Sequence, residues 1–160
     1  HCITHRVAAG HEAVYTDNSS QAPKIAHPWA LARTAGPAGG LVSTVRDQLA
    51  YARFHLDGGV ARNGSRLLTA ESIAHMQTPY VQAANGESVG LSWFIRDVPG
   101  ARIVRHGGAT NGQQSAFQMV PGRRYACTIL TNSDRGSELT TPVVVDTTPG
   151  VHASTSTRRE

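Results

Sequence analysis

The sequence has 160 residues, 39% of them apolar and 16% charged, and a formal net charge of +4 at pH 7. This length and balance are typical of one globular domain with one hydrophobic core. No apolar run approaches the roughly 20 residues that span a bilayer, so we predict no membrane segment and find no signal peptide, although a chain that begins mid-protein would lack either. The arginines are scattered from Arg6 to Arg159, which argues against a nucleic-acid-binding face.

The chain divides into three segments by composition. Residues 1–38 contain three prolines and little periodicity, which predicts a loop-rich segment. Residues 39–138 carry the regular apolar patterns of helices and strands. Residues 139–160 are rich in serine and threonine and contain two prolines, so we expect a disordered tail.

Two amphipathic helices are predicted in the first half of the central segment. The stretch "STVRDQLAYARFHLDGG" opens with Ser43 or Thr44 as N-cap, carries Asp47 in its first turn and stops at two glycines. Its apolar face consists of Val45, Leu49, Ala52 and Leu56. The stretch "LLTAESIAHMQ" repeats the pattern with Thr69 as the cap.

The second half of the central segment changes to a period of two. The runs "SVGLSWFI", "ARIVRH", "QQSAFQMV" and "RYACTILT" are rich in β-branched and aromatic residues and are divided by "DVPG", "GGATNG" and "PGR". Such close spacing leaves no room for crossover helices, so we predict three or four antiparallel strands in a meander. The helices must then pack on a face of this sheet, which makes the fold class α+β.

The segment "VRHGGATNGQQSAFQMV" places two glycines, Gly107 and Gly108, directly after His106 and close to a predicted strand. Glycine weakens a strand, so its presence indicates either a bend or the close approach of a ligand or another backbone. A strand edge without side chains can present N–H groups to a substrate carbonyl. A tight bend beside a surface histidine would give the same letters, and these residues alone leave both interpretations open.

No metal or cofactor site is predicted. None of the eight histidines belongs to an H-E-x-x-H motif. Cys2 and Cys127 are too far apart in the sequence to indicate a disulfide framework.

Longer stretches resemble a known family. In order, "GPAGGLVSTVRDQLAYARFHLDGG", "RLLTAESIAHMQTP", "VGLSWF" and "VRHGGATNGQQSAFQMVPGRRYACTILTNSD" are similar to the C-terminal half of the serine β-lactamases and penicillin-binding proteins. The nearest branch is the class C-like one, with class C β-lactamases, D-alanyl-D-alanine carboxypeptidases, D-aminopeptidases and β-lactamase-like esterases. The resemblance covers about residues 36–138 and is strongest over 104–134. It implies a partial β-lactamase/transpeptidase-like fold.

The family is built around three sequence elements: S-x-x-K, Y-x-N or S-D-N, and K-T-G, in which histidine replaces lysine in many class C-like members. His106-Gly107-Gly108 matches the third element. The resemblance implies that His106 lies beside the substrate carboxylate as donor or cation, and that the two glycines keep the strand edge open. It also implies that the backbone N–H of Ala109 is one of two oxyanion-hole donors and that Thr110 and Asn111 border the substrate cleft.

The other two elements are absent from the sequence. Lys24 is the only lysine, and the residue three before it is Gln21 rather than serine. No tyrosine is followed two residues later by asparagine, and no serine stands two residues before an asparagine. By the resemblance, both elements would lie upstream of His1 in a full-length relative. We therefore expect no nucleophile on this chain and no activity from it alone.

Two hypotheses about function follow. In the first, the chain is the C-terminal portion of a serine hydrolase that cleaves an amide, β-lactam or ester through an acyl-enzyme, with a small-molecule or peptide substrate in the full-length protein. In the second, it is a non-catalytic β-lactamase-like binding module. Neither requires nucleic acid, a membrane or a cofactor. The segment "RYACTILT" would be an apolar edge strand, so we expect self-association.

Overall fold

The computed structural model describes residues 6–16, 19–28 and 31–140. They form two antiparallel sheets, three helices and a further helical stretch at residues 137–140. The helices are α1 (Gly36–Gly39), α2 (Val45–Leu56) and α3 (Ala70–Met76). The smaller sheet contains β1 (His11–Thr16) and β2 (Ser19–Ile25). The larger sheet contains β3 (Val81–Gln82), β4 (Ser88–Val89), β5 (Phe94–Val98), β6 (Ala101–Thr110), β7 (Gln113–Val120) and β8 (Tyr125–Thr131).

The larger sheet is a meander in which every strand pairs antiparallel with its neighbour in sequence, so the spatial order is β3 to β8. The predicted α+β class and antiparallel meander are confirmed. The described sheet has six strands rather than three or four. The predicted strand over residues 88–95 divides into β4 and β5 because the chain turns between them. A Cβ at Gly90 would lie 2.5 Å from the Met76 carbonyl oxygen, and Ser92 has a φ of 66°.

Helix α2 begins where the sequence places it. Thr44 is the N-cap: its side-chain oxygen accepts the N–H of Asp47 at 3.2 Å, and the Asp47 carboxylate accepts the N–H of Thr44 at 3.3 Å. This reciprocal capping box satisfies two N–H groups that a helix start leaves unpaired. At the other end, Arg124 donates to the Leu56 carbonyl and pairs with Asp57 at 2.5 Å, which ties the helix to the turn before β8.

The core lies between α2 and the face of the sheet that it covers. The buried residues of this cluster are Ala52, Trp93, Ile95, Val104, Phe117 and Met119. Thr128 of β8 also donates a hydrogen bond to the Gln48 side chain of α2. Two residues of the predicted apolar face, Val45 and Leu49, remain 44% and 43% exposed, so this face is only partly covered.

A histidine occupies the aromatic part of this core. His55 is 3% exposed, and rings of Tyr51, Phe54 and Trp93 meet its ring edge-on at centroid distances of 4.6, 5.5 and 5.2 Å. Within the described part of the chain, neither of its ring nitrogens has a hydrogen-bond partner. Burial lowers the pKa of His55 because the charged imidazolium loses its solvation there.

The prediction of a loop-rich segment over 1–38 is wrong for β1 and β2, which form a hairpin. Pro23 argues against a strand because it cannot donate to a ladder, but it lies at a bulge opposite Ala13, where no donor is needed. The N–H of Ala13 instead donates to both carboxylate oxygens of Asp134, at 3.0 and 2.9 Å. This partner is 121 residues away in sequence, so no local pattern could indicate it.

The predicted tail lies outside the described residues from 141 onward. Residues 139 and 140 belong to a helical stretch that begins at 137, so the regular structure extends past the predicted boundary. No helix among the described ranges is long and apolar enough to cross a membrane.

Candidate active site

Strand β6 runs straight through the two glycines of the sequence motif. The sequence prediction ended this strand at His106, but it continues to Thr110 and stays paired with β7 along that length. Its other neighbour, β5, begins at Phe94, opposite Arg105, and no described strand covers β6 beyond that point. Residues 106–110 therefore have one side bonded to β7 and one side free, which we call the open edge.

The register of the two hairpins decides which backbone groups face the open edge. A two-residue turn is closed by a hydrogen bond between the residues that flank it. At the Pro99–Gly100 turn, the backbone N–H and C=O of Ala101 therefore face β5. At the Asn111–Gly112 turn, those of Thr110 face β7. Because backbone groups of successive strand residues point to alternate sides, odd positions of β6 point away from β7 and even positions point toward it. The N–H groups that we infer at the open edge are those of Gly107 and Ala109.

His106 stands at the start of the open edge, and its side chain is exposed. Phe117 of β7 lies directly opposite it in the ladder. The ring of Phe94, the first residue of β5, is 5.7 Å from the imidazole centroid at an interplanar angle of 39°. The imidazole therefore has an aromatic neighbour on the side from which β5 approaches.

The far end of the open edge is bordered by α1. A Cβ at Gly39 would lie 3.4 Å from Cγ2 of Thr110, so the helix backbone comes close to this strand end. Asn111 donates from its side-chain amide to the Pro28 carbonyl at 2.7 Å. Its amide N–H group is thus engaged in holding the preceding chain segment.

The turn after β6 also anchors the β1–β2 hairpin. The N–H of His11 donates to the carbonyls of Gly112 and Asn132, both at 3.0 Å. A Cβ at Gly112 would lie 2.4 Å from the His11 nitrogen, and one at Gly10 would lie 2.2 Å from the Asn111 oxygen. These two glycines permit a backbone approach that any side chain would block.

Sequence reasoning missed an ion pair next to the site, at the residue of β6 that precedes His106. Glu87, the residue before β4, accepts two hydrogen bonds from Arg105, at 2.6 Å from Nε and 2.7 Å from Nη2. The Glu87 side chain is only 10% exposed, whereas that of Arg105 is 40% exposed. The sequence offers no signal for it, because 18 positions separate the two residues and neither belongs to a motif.

The lysine and the helical tyrosine of this chain do not reproduce the absent motifs. Lys24 is an exposed residue on strand β2, so it does not share a helical face with a serine. Tyr51 lies on α2 and is followed two residues later by Arg53. Among residues 6–16, 19–28 and 31–140, no group of three His, Cys, Asp or Glu side chains could hold a metal ion.

Comparison with known proteins identifies the family. The sequence matches the protein family described as Beta-lactamase over residues 4–143. The chain belongs to the β-lactamase family. The match begins well before residue 36, where the resemblance seen in the sequence began, and it includes both sheets and the whole open edge.

Similar proteins agree with this β-lactamase-family assignment. The chain is 37% identical over 116 residues to "Penicillin-binding protein 4" of Amycolatopsis lactamdurans, which covers 69% of the chain and 30% of that protein. Its fold matches the solved structure of the octameric penicillin-binding protein homologue from Pyrococcus abyssi, with a TM-score of 0.64 and 19% identity, over 86% of the chain and 30% of the homologue. The matched part of the chain thus spans about 30% of the length of either protein.

Proposed function

We propose that this chain supplies one wall of the acyl-transfer site of a serine hydrolase. The observation that carries the proposal is the open edge: β6 loses its β5 partner at Arg105, directly before the H-G-G element. An extended substrate can lie along such an edge as an additional strand and accept hydrogen bonds from its free N–H groups. The β-lactamase-family match supports this assignment, since the resemblance gave these positions the same role.

Each residue of the wall has a distinct role in this proposal. His106 donates to, or as a cation attracts, the carboxylate of the substrate. Gly107 and Gly108 leave room for the substrate backbone at the edge. The N–H of Ala109 stabilises the oxyanion that forms when a serine oxygen attacks the substrate carbonyl. Thr110, beside α1, borders the cleft, and Asn111 contributes to it by holding the Pro28 segment in place.

The nucleophile is proposed to come from outside this chain. A serine activated by a lysine one helical turn later would attack the carbonyl, expel the amine or alcohol and form an acyl-enzyme that water then hydrolyses. The sequence has no such serine and lysine pair, and Lys24 lies on a strand. The chain by itself is therefore proposed to be inactive, with an amide, β-lactam or ester as the substrate of the whole protein.

Covalent labelling tests the proposal. This chain, and a version extended upstream to an S-x-x-K segment, are treated with a fluorescent penicillin and a fluorophosphonate and resolved on a denaturing gel. We expect an adduct only on the extended protein, weakened by His106→Ala. Replacement of an exposed histidine on α3, His75→Ala, is the matched control and should leave labelling unchanged.

Two outcomes contradict the proposal. An adduct on the short chain would mean that one of its own serines is the nucleophile. An extended protein that labels with neither reagent, yet binds the penicillin reversibly, would favour the non-catalytic binding module.

A further inference from the structure

A series of contacts leads from Glu87 through Arg105 and Phe94 to the imidazole of His106. Phe94 is the residue of β5 nearest the edge, and it keeps 36% of its surface exposed although it is a large apolar side chain. Its ring lies 5.7 Å from that of His106. The guanidinium carbon of Arg105 lies over the same Phe94 ring, 5.9 Å from its centroid.

Arg105 is in turn fixed by Glu87. The two hydrogen bonds between them join Nε with Oε1 and Nη2 with Oε2, which is the parallel, bidentate arrangement. Such a pair sets the plane and direction of the guanidinium as well as its position. A cation held over an aromatic ring attracts it through the ring quadrupole. The orientation of Glu87 is thus transmitted through Arg105 to the ring of Phe94.

A second ion pair, between Arg102 and Asp97 of the same hairpin, differs from the Glu87–Arg105 pair in the exposure of its carboxylate. Arg102 and Asp97 pair in the same bidentate way, at 2.7 and 2.9 Å, near the Pro99–Gly100 turn. Their side chains are 44% and 59% exposed, however, and an exposed pair of this kind contributes little to stability. In the first pair the Glu87 side chain is only 10% exposed while that of Arg105 is 40% exposed, and the hydration lost by the carboxylate offsets part of the attraction. Orientation of a neighbouring group is a role that this partly buried pair can fill.

We propose that Glu87, Arg105 and Phe94 are positioning residues that hold the His106 imidazole at the open edge. The inference rests on the proposed function, since it assigns His106 the contact with substrate. Glu87 and Arg105 act through Phe94, and Phe94 restricts the ring of His106 from the side where β5 ends. These three residues, which we call the clamp, leave the opposite side of the imidazole available to substrate.

Solution NMR of this chain tests the positioning directly. The His106 ring protons are assigned by comparison with His106→Gln, and their chemical shifts and nuclear Overhauser contacts to the Phe94 ring are measured. In Phe94→Leu the ring-proton shifts should move, because a ring 5.7 Å away contributes to them. In Glu87→Gln and Arg105→Lys, the shifts should move and the contacts to Phe94 should weaken. Arg105→Lys keeps the charge but loses the planar fork.

Asp97→Asn is the matched control because it breaks the equivalent ion pair of the same hairpin at a distance from His106. It should leave the His106 ring resonances in place. If Arg105→Lys keeps a folded amide spectrum and leaves both these resonances and the contacts to Phe94 unchanged, the positioning role of the ion pair is refuted. Arg105→Lys retains the positive charge, so this test remains if Glu87→Gln unfolds the protein.

Acylation kinetics separate this inference from the function on which it rests. In the upstream-extended protein, Glu87→Gln should slow penicillin labelling about ten- to hundred-fold, as expected for a misplaced substrate contact, and Asp97→Asn should not. If the His106 resonances respond to the variants but the unmodified extended protein never labels, the proposed function fails and the clamp stands. If labelling occurs and is unaffected by Glu87→Gln, the clamp does not position the imidazole for the reaction.

Discussion

His55 makes the stability of this protein depend on pH. Its imidazole is buried among aromatic rings without a hydrogen-bond partner in the described chain, and burial lowers its pKa below the ordinary value of about 6.5. As the pH falls below that value, the unfolded chain takes up a proton at His55 while the folded chain does not. The stability that the neutral His55 contributes is therefore fully present above about pH 6.5, and it is lost as the pH falls toward the folded-state pKa of His55.

The size of the effect follows from linkage to one proton. Each pH unit between the folded-state and unfolded-state pKa values lowers the free energy of unfolding by at most about 1.4 kcal/mol. Between pH 6.5 and pH 5 the loss is therefore at most about 2 kcal/mol. This is a substantial part of the 5 to 15 kcal/mol by which domains are usually stable.

Urea denaturation at low micromolar concentration, followed by tryptophan fluorescence and circular dichroism, measures this dependence. In the original protein, the free energy of unfolding should decline between pH 7.5 and pH 5. We expect most of this decline to be absent in His55→Phe, whether its stability at pH 7.5 is higher or lower than that of the original protein. His75→Phe, which makes the same replacement at an exposed position of α3, is the matched control and should keep the decline. Equal pH dependence in the original protein and His55→Phe would refute the reasoning.

Three further predictions concern the frame around the site. Gly112→Ala should destabilise the protein by more than Gly64→Ala, measured by urea denaturation. Both positions have positive φ, a strain of about 1 to 3 kcal/mol for alanine, but only at Gly112 would the new Cβ also meet backbone, 2.4 Å from a nitrogen. Thr44→Ala should cost about 1 kcal/mol of stability through the lost cap, with a lower thermal midpoint as the readout. Leu130→Lys, on the outer strand of the described sheet, should reduce any concentration-dependent oligomers in sedimentation velocity, and unchanged oligomers would place self-association elsewhere.

The parts of the fold that were predictable are those specified locally. Helix α2 is encoded by Thr44 and Asp47, three positions apart, and by apolar residues at helical spacing. The long strands β6 and β7 are encoded by alternation and by the Asn111–Gly112 turn between them. The signals that start these elements are local, because the capping box spans three positions and the hairpin is closed by a two-residue turn.

The parts that were missed depend on distant partners. The β1–β2 hairpin needs Asp134 to accept the N–H of Ala13 opposite its bulge, and the clamp beside His106 needs Glu87. The glycines of the H-G-G element were compatible with a bend or with a close approach, and the open edge exists because β5 starts only at Phe94. Where one strand stops beside another is a property of the assembled sheet, which a single sequence does not display.

Because backbone groups along β6 alternate in direction, the two turns that flank this strand are compatible only with certain numbers of residues between them. The Pro99–Gly100 turn requires the backbone groups of Ala101 to face β5, and the Asn111–Gly112 turn requires those of Thr110 to face β7. Both conditions hold because an odd number of positions separates the two residues. One residue inserted between Ala101 and Gly107 would put the two turns out of phase and break one of the two ladders, although every motif letter would remain. Two extra residues would keep both turns in phase and simply lengthen the strand. We therefore expect relatives that keep this chemistry to differ in this hairpin arm by even numbers of residues, or to compensate an odd change with a bulge.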